Sequence, residues 1–290
     1  MRRSLAAVCA ALLVLGACRK TGERPIRIGS KNFTEQVLLG EIAAQALERA
    51  GLPVERRLDL GGSFVCHRAL VAGELDLYPE YSGTAFTAIL KLKPIGDPVR
   101  VRERVSAAYT RTWGLVWAPP LGFENSFALV MRSDQARELG ISTISDLPGH
   151  GELRPGFGYE FVERADGFPG LAAAYGLAFT VRPAEMDLGL LYPALAQGKV
   201  DVVAGNSTDG LIAAMKLTVL LDDRRYFPPY EAAFVVRGAI WKDARVRRAL
   251  DALSGSITAD AMQRMNAAVD RDGRRPEDVA REFLSQGRDR

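Results

Sequence analysis

Short apolar segments alternate with amphipathic ones along the first third of the chain. Residues 26–29 alternate apolar and polar positions, as a strand does, and apolar residues then recur at helical spacing to about residue 50. Asn32 and Glu35 have the spacing of a capping box, so we expect them to cap the N-terminus of that helix. The next predicted elements are a strand at 54–60, a helix from about 63 to 72 and a strand at 75–78.

This β-α-β-α-β order predicts a mostly parallel sheet with helices on both faces. In such sheets, ligands lie beyond the carboxyl ends of the strands, where helix N-termini offer free N–H groups and a positive dipole. Residues 30–34 and 61–64 follow predicted strands directly. We therefore expect both segments to face a ligand site.

A second α/β unit begins near Asn125. The pattern divides the chain into a first lobe of residues 25–123 plus 230–286 and a second lobe of residues 124–229, in agreement with the two domains that the length suggests. Two crossings between the lobes predict a hinge and a central cleft that closes around a small ligand. The elements predicted here are strands at 126–131, 156–159, 200–204 and 231–236 and helices at 169–175, 188–197, 243–253, 258–269 and 276–285.

The N-terminus has the pattern of an export signal. Two arginines precede an apolar run at residues 5–14, which is too short to span a bilayer as a folded helix. Leu15-Gly16-Ala17-Cys18 resembles the bacterial lipobox, which predicts a lipoprotein signal peptide at residues 1–18 and a lipid on Cys18. The alternative is an ordinary signal peptide that happens to contain a cysteine. We expect a protein of the periplasm or the extracytoplasmic face, held at the membrane by lipidated Cys18.

The composition is that of an ordinary globular protein, because 48% of the 290 residues are hydrophobic and 25% are charged. The formal net charge of +3 falls by two, to +1, when Arg2 and Arg3 leave with the signal, so no strong field favours nucleic acid as a partner. Two histidines and three cysteines are too few for a histidine-rich metal centre or a disulfide framework. We expect Cys66, the thiol that remains, to be a small buried hydrophobe.

Motifs for nucleotide binding and catalysis are missing, since the sequence has no Walker loop, no GxGxxG opening a helix, no GxSxG and no HExxH. We therefore predict no cofactor, no metal and no enzyme. Four turns instead combine cations with aromatic residues, which suits a zwitterion whose carboxylate meets Lys or Arg and whose cationic end meets ring faces. For each turn alone, packing or turn chemistry is an equally good explanation. The turns are residues 29–35, 78–84, 163–167 and 226–230.

Six sequence segments form a recognisable set: IRIGSKNFTE at 26–35, DLYPEYSGT at 76–84, DLGLLY at 187–192, STDG at 207–210, FPPY at 227–230 and PEDVA at 276–280. Together they resemble the osmoprotectant-binding proteins of glycine betaine/choline ABC importers. The resemblance extends over essentially the whole chain after the signal. It implies an α/β fold of the two-lobed periplasmic-binding-protein type (type II-like), in which each lobe is a mostly parallel sheet flanked by helices.

The resemblance also implies a ligand site. In the family, a box of tyrosines surrounds the quaternary ammonium, and Lys, Arg and Thr lie near the carboxylate. Two positions of this chain depart from that pattern, because Phe127 and Asn206 stand where the family has tyrosines. The positions that match by motif are Lys31, Tyr81, Thr84, Asn125, Arg164 and Tyr230.

The two departures predict an altered ligand preference. Phe127 keeps a ring but loses the hydroxyl, and Asn206 removes one wall of the box, which costs about 1–2 kcal/mol, or roughly tenfold in affinity. We expect a low-affinity or altered-specificity member of the family, whose ligand is another polar or zwitterionic solute. The alternative is that Asn206 hydrogen-bonds across the cleft or caps the next helix, while another ring takes the vacant place. The candidates for that ring are Phe33, Tyr159 and Tyr192.

The leading functional hypothesis is a non-enzymatic, lipid-anchored receptor that captures a small zwitterion or quaternary ammonium compound. It would deliver this ligand to an ABC permease driven by an ATPase, both on separate chains. A rival is a dehydratase-like periplasmic enzyme on the same fold, with Glu80 or Glu160 as its general acid or base. A third hypothesis is a ligand sensor that does not take part in transport.

Overall fold

The computed structural model of the chain describes residues 23–286. Two five-stranded sheets, each flanked by helices, enclose a cavity between them. The predicted signal peptide and Cys18 lie outside the described residues. Among the described residues, no helix combines the length and the hydropathy needed to cross a membrane.

The strands are β1 (Ile26–Gly29), β2 (Val54–Arg57), β3 (Leu77–Tyr81), β4 (Leu115–Trp117), β5 (Phe127–Arg132), β6 (Pro155–Gly158), β7 (Ala184–Met186), β8 (Val202–Asn206), β9 (Leu217–Val219) and β10 (Ala232–Arg237). The α-helices are α1 (Thr34–Arg49), α2 (Ser63–Val71), α3 (Ser82–Thr84), α4 (Pro98–Trp113), α5 (Ser133–Leu139), α6 (Tyr159–Glu163), α7 (Phe168–Tyr175), α8 (Leu191–Ala196), α9 (Gly210–Ala214), α10 (Gly238–Trp241), α11 (Ala244–Asp251), α12 (Ala259–Asp270) and α13 (Pro276–Gln286). A π-helical turn at Ala85–Ile89 and 3₁₀ turns at Ile144–Gly149 and Leu188–Leu190 complete the description.

The two sheets have the same topology. The first sheet, which defines the first lobe, has the strand order β2-β1-β3-β10-β4, and the second, which defines the second lobe, has the order β7-β6-β8-β5-β9. In each sheet one strand, β10 or β5, runs antiparallel to both of its neighbours. The prediction of a two-lobed α/β fold is therefore confirmed, with mixed sheets that are parallel apart from that one strand. The exact lobe boundaries stay a prediction.

Several elements were not predicted from the sequence pattern, among them three strands, the long helix α4 and the short helices α3, α5, α6, α9 and α10. Strands β4, β7 and β9 are three residues long and form sheet edges, so they are too short to show a hydrophobic period. Helix α4 has clear boundary signals: the Asp97 side chain accepts hydrogen bonds from two backbone N–H groups of the first turn, Pro98 opens the helix, and Gly114 closes it in the left-handed conformation.

The capping-box prediction for α1 is wrong. The helix begins at Thr34, its N-cap is Phe33, and no side chain caps it. The Glu35 carboxylate turns inward instead, and only 1% of the residue is exposed. A capping box and an inward-facing glutamate have the same local sequence, so the choice between them depends on what lies behind the helix.

Each sheet separates two hydrophobic clusters. Alternate residues of β10 show this directly, because Phe234 and Val236 pack beneath α1 and α11 while Ala233 and Val235 pack on the α2 and α4 side. This is the two-residue period of a strand that is buried on both faces. Cys66 is fully buried in the second of these clusters, as a small hydrophobe would be.

The chain passes twice between the sheets, and the two passages lie side by side. The Asn125 N–H donates to the Tyr230 carbonyl oxygen at 3.1 Å, and Glu124 pairs with Glu231 in an isolated antiparallel bridge. Both crossings therefore place a predicted site residue, Asn125 or Tyr230, at the hinge.

A buried carboxylate joins the strands at the opposite end of the first sheet. Asp76, fully buried, accepts from the Arg27 N–H at 2.9 Å and from the guanidinium of Arg24 at 2.9 and 3.0 Å, and Arg237 lies 3.5 Å away. Burial alone would raise the pKa of Asp76, but the hydrogen bonds from Arg24 and Arg27 outweigh it and lower that pKa. Asp76 thus connects β1, β3 and β10.

We predict that Asp76→Asn lowers the free energy of unfolding by about 2–3 kcal/mol at pH 7, because the arginines lose their counter-charge. A lowered folded-state pKa stabilises the fold above the unfolded pKa of about 4, and that advantage disappears as the pH falls through the folded value. Urea unfolding at pH 7 and pH 3 tests both points. Asp97→Asn is the matched control, because Asn caps a helix as well as Asp does. An equal loss in both variants would contradict the assignment.

Candidate ligand-binding cleft

A cavity of about 330 Å³ lies between the lobes, at the ends of the strands that carry the predicted site. The first lobe contributes the segments after β1 and β3 and the start of α2, and the second contributes α6, the end of β8 and the segment after β7. All eight residues predicted to bind ligand line this cavity: Lys31, Tyr81, Thr84, Asn125, Phe127, Arg164, Asn206 and Tyr230.

Lys31 forms a buried ion pair with Glu80 at the first-lobe side of the cavity. Lys31 is 4% exposed and Glu80 is fully buried, and the two side chains are in direct hydrogen-bond contact. Glu80 also accepts from the Tyr78 hydroxyl at 3.0 Å and from the Tyr81 N–H at 2.7 Å. An ammonium group has three donors, so Lys31 keeps N–H groups beyond the one that Glu80 uses.

Arg164 forms the corresponding ion pair on the second-lobe side. Its Nε and Nη2 atoms donate to the two oxygens of Asp166 at 2.9 and 2.6 Å, and Nη2 also lies 3.3 Å from the Thr84 hydroxyl. Burial would raise the pKa of Asp166, but the hydrogen bonds and charge of Arg164 outweigh it and lower that pKa. Within the described residues Nη1 makes no hydrogen bond, and its nearest carboxylate oxygen, on Glu160, is 3.7 Å away.

Tyr81 and Tyr230, two of the tyrosines that line the cavity, donate their hydroxyls to buried carboxylates behind them. Tyr81 donates to Glu35 at 2.6 Å, and Tyr230 donates to Asp166 at 2.8 Å. Burial, and then the nearby negative charge, raises the pKa of both hydroxyls well above the usual 10, so both remain donors at neutral pH. Because hydrogen bonds polarise one another, a phenol that donates to a carboxylate presents a more negative ring face. Both rings are therefore suited to a cation, and Lys31 already lies over the Tyr81 ring, with its Nζ atom 4.7 Å from the ring centroid.

The Tyr230 ring is held by a close approach of the backbone. A Cβ atom on Gly83 would lie 2.5 Å from the ring of Tyr230, so the ring packs directly on that glycine. The ring of Phe33 stacks on that of Tyr81, with 6.5 Å between centroids, and also lines the cavity.

The two departures from the family pattern are neighbours in space. Phe127 on β5 pairs directly with Asn206 on β8. Arg164 lies over the Phe127 ring, 5.1 Å from its centroid, so one face of that ring is already occupied by a cation. The Asn206 amide lies 3.4 Å from Asp209, in the same turn, and does not bond across the cleft.

Of the three rings considered as replacements, Phe33 and Tyr159 line the cavity. Tyr192 does not line it. Its hydroxyl donates to Asp209 at 2.7 Å and the residue is buried in the second lobe. Tyr159, 52% exposed, lies at the mouth.

Sequence reasoning missed the residues that neutralise and orient the site. The sequence pattern assigns no role to Asp166, and it predicts a helix cap for Glu35. The segment 29–35 contained a signal for the role of Glu35, since this acid lies four residues after Lys31 in a segment expected to face the ligand site. The expectation that residues 61–64 face the site is met by Gly62, Ser63 and Phe64, which line the cavity. The acidic character of the cavity mouth was missed; its exposed or half-exposed charged lining residues are Arg68, Glu160, Glu163 and Asp187.

The two carboxylates considered for catalysis differ sharply. Glu80 is fully buried, and its oxygens are occupied by Lys31, Tyr78 and a backbone N–H. Glu160 lines the cavity with its side chain 30% exposed. Glu80 is therefore a counter-charge in this site, and an enzymatic mechanism would depend on Glu160.

Two similar α/β lobes, a hinge of two adjacent crossings and a cleft lined by cations and aromatic rings define a two-lobed solute-binding protein. The chain belongs to the family described as the substrate binding domain of ABC-type glycine betaine transport systems, whose model matches residues 24–286.

Curated relatives cover most of the chain. A glycine-betaine-binding protein of Pseudomonas aeruginosa is 35% identical, over 98% of this chain and 94% of that protein. A carnitine transport binding protein of Listeria monocytogenes is 31% identical, over 94% of this chain and 92% of that protein. An ergothioneine transport permease/ergothioneine binding protein of Helicobacter pylori is 34% identical over 91% of this chain, which spans only 48% of that relative's length.

Solved structures agree with the fold. A glycine betaine/carnitine/choline ABC transporter structure matches with a TM-score of 0.74 and 31% identity, over 91% of this chain and 98% of that one. The apo form of YehZ from Escherichia coli matches with a TM-score of 0.64 and 28% identity, over 90% and 98%.

We predict that Glu80→Gln lowers the free energy of unfolding by about 3–5 kcal/mol, because it leaves the Lys31 ammonium buried without a counter-charge. The double variant Lys31→Met/Glu80→Gln should regain most of that loss, since no buried charge is then unpaired. Urea unfolding of the wild type, both single variants and the double variant measures the coupling. Additive effects would show that the pair is not coupled.

Proposed function

We propose that this protein is an extracytoplasmic receptor that binds a betaine-type zwitterion in the interlobe cavity and delivers it to an ABC permease. The observation that supports this most strongly is the pairing of two neutralised cations with two polarised tyrosine rings around one cavity. Membership of the family supports the transport role.

The carboxylate of the ligand would meet donors that the protein leaves unused. Lys31 has further ammonium N–H groups, Arg164 has its Nη1 group, and Thr84 lies beside Arg164. Each cation already has its own buried carboxylate, so the two ion pairs together carry no net charge. A zwitterion adds none, whereas a simple anion or cation would leave a charge unbalanced in a water-poor cavity.

The quaternary ammonium of the ligand would meet ring faces. It has no N–H group, so aromatic rings are its natural partners, at about 0.5–2 kcal/mol for each ring. Tyr81 and Tyr230 supply these faces, with Phe33 beside Tyr81. The acidic mouth, with three carboxylates and one arginine, would attract the cationic end of the ligand first.

The second-lobe wall supports a proposal about the substrate class. Phe127 already packs against Arg164, and Asn206 supplies no ring, so the wall that closes around glycine betaine in the family is reduced here. The names of the relatives include glycine betaine, carnitine and ergothioneine, all of which combine a trimethylammonium group with a carboxylate. We infer that this protein takes a betaine of this class that is larger than glycine betaine.

The protein acts as a receptor and not as an enzyme in this proposal. Catalysis would require Glu160 to work beside Arg164, since the other unpaired carboxylates that line the cavity of the described chain, Glu163 and Asp187, are exposed to water. Mass spectrometry of bound ligand separates the two functions, because a receptor returns its ligand intact and an enzyme returns a product. The permease and ATPase would be separate chains, and uptake by cells that lack this protein separates transport from sensing.

We predict that a carboxylate-bearing trimethylammonium compound binds at least tenfold more tightly than choline. Tyr81→Ala and Tyr230→Ala should each weaken the binding of that compound at least tenfold. Calorimetric titration with glycine betaine, carnitine, ergothioneine, choline and ectoine measures this. Tyr226→Ala is the control, because it removes a nearby ring that does not line the cavity. The affinity of this variant for the ligand should stay within about threefold of the wild-type affinity.

The same titration with Asn206→Tyr tests the inference about size. This variant restores a ring at the reduced wall, so it should gain glycine betaine binding and lose the larger ligand. If neither the wild type nor Asn206→Tyr binds any of the five compounds, the assignment of the site is wrong.

We predict that Cys18→Ser moves the protein from the membrane fraction to the soluble extracytoplasmic fraction, because the lipid carries the attachment. Cell fractionation with labelled fatty acid measures both the location and the modification. Cys66→Ser is the control, because Cys66 is buried and should leave the labelling unchanged. Equal labelling of the wild type and Cys18→Ser would contradict the lipoprotein assignment.

A further inference from the structure

Glu35 is a buried carboxylate without a cationic partner among the described residues. It is 1% exposed, and four neutral donors surround it. Burial raises its pKa, and the hydrogen bonds partly offset that effect. It does not line the ligand cavity. Its donors are the Tyr81 hydroxyl at 2.6 Å, the Asn125 amide at 2.8 Å, the Thr208 hydroxyl at 2.5 Å and the Asn266 amide at 3.2 Å.

These donors come from four separate parts of the molecule. Tyr81 ends β3 in the first lobe, Asn125 lies in the hinge crossing, Thr208 follows β8 in the second lobe, and Asn266 lies on α12. One carboxylate therefore contacts the ring wall of the cavity, the hinge and the opposite lobe at once.

A second hydrogen bond holds Thr208 against the first lobe. The Asn266 amide donates to the Thr208 carbonyl oxygen at 2.9 Å as well as to Glu35. Next to Thr208, the Ser207 carbonyl oxygen accepts from the side-chain amide of Gln263 on α12 at 3.0 Å. The STDG segment at 207–210, which supplies no residue to the ligand cavity, thus docks against the first lobe through Thr208.

We propose that Glu35 is a positioning residue that couples ligand binding to lobe closure, holding the Tyr81 ring through its hydroxyl and holding the closed arrangement of the lobes through Thr208. This inference rests on the proposed function for the role of the Tyr81 ring, but the lobe contact does not depend on any ligand.

The physical basis is the cost of leaving a buried carboxylate short of donors. Separation of the lobes at Thr208 removes a charge-assisted hydrogen bond from a group that has no counter-ion, so the closed form gains stability from that contact. A ligand binds to the closed form, and its apparent affinity falls in proportion to the population of that form. Loss of the Thr208 hydroxyl should therefore weaken binding without removing any group that touches the ligand.

The test measures the distance between the lobes in the protein without added ligand. Spin labels on Val71→Cys in the first lobe and Leu190→Cys in the second report it, since these residues are 44% and 55% exposed and lie near the cavity-lining Arg68 and Leu188. Cys66 should not compete for label, because it is fully buried and burial raises its pKa to about 12.

Thr208→Val should shift the label distances to longer values and weaken ligand binding about three- to tenfold. Thr208→Ser keeps the hydroxyl and should restore both. Tyr81→Phe should weaken binding without changing the distances, and Glu35→Gln should change both. Thr34→Val is the matched control, because Thr34 makes a similar 2.5 Å bond to Asp270 within the first lobe, so its distances should equal those of the wild type.

Unchanged distances in a folded Thr208→Val protein would overturn the proposal, whatever the ligand. A distance shift of equal size in Thr34→Val and Thr208→Val would also overturn it, because it would show a general loosening of structure. If Thr208→Val shifts the distances but the wild type binds none of the compounds tested, the lobe contact stands and the proposed ligand class fails.

Discussion

The structure of the cleft depends on one constraint: the charged groups that the proposed zwitterion would contact must be kept out of water without being left unpaired. An unpaired buried charge costs several kcal/mol, and a fully paired one has no capacity left for a ligand. The protein meets both conditions by giving each ligand-facing cation its own carboxylate while leaving N–H groups unused. Lys31 with Glu80 and Arg164 with Asp166 follow this arrangement, one pair in each lobe.

The fold makes this arrangement possible because the two sheets share a topology. The equivalent strands β1 and β6 each lead to a segment with a cation, so the ends of the strands bring one ion pair from each side of the cleft. Two of the buried carboxylates also accept hydrogen bonds from two different hydroxyl groups each. Glu35 and Asp166 each accept the hydroxyl of one cavity tyrosine and the hydroxyl of one threonine, Thr208 or Thr87, from the opposite lobe. Charge balance, ring orientation and lobe contact thus share the same few groups.

Much of the candidate site could be predicted from the sequence. Cations and rings in Pro/Gly-punctuated turns after predicted strands identified Lys31, Arg164, Tyr81 and Tyr230, and the family resemblance added the remaining positions, all of which line the cavity. The role of Glu35 could not be predicted, because local spacing favours a helix cap. Its partners Asn125, Thr208 and Asn266 lie 90, 173 and 231 residues away in the chain.

The sequence by itself determined the alternation of strands and helices, the two-lobed class and the types of side chain in the turns, because these depend on local pattern and on which residues suit a zwitterion. Only the tertiary structure decided which carboxylate neutralises which cation, that the Phe127 ring packs against Arg164, and that Phe127 and Asn206 lie side by side on adjacent strands. The physical reason is that hydrogen bonds and ion pairs act over a few ångströms in space, and chain folding brings those partners together from distant parts of the sequence.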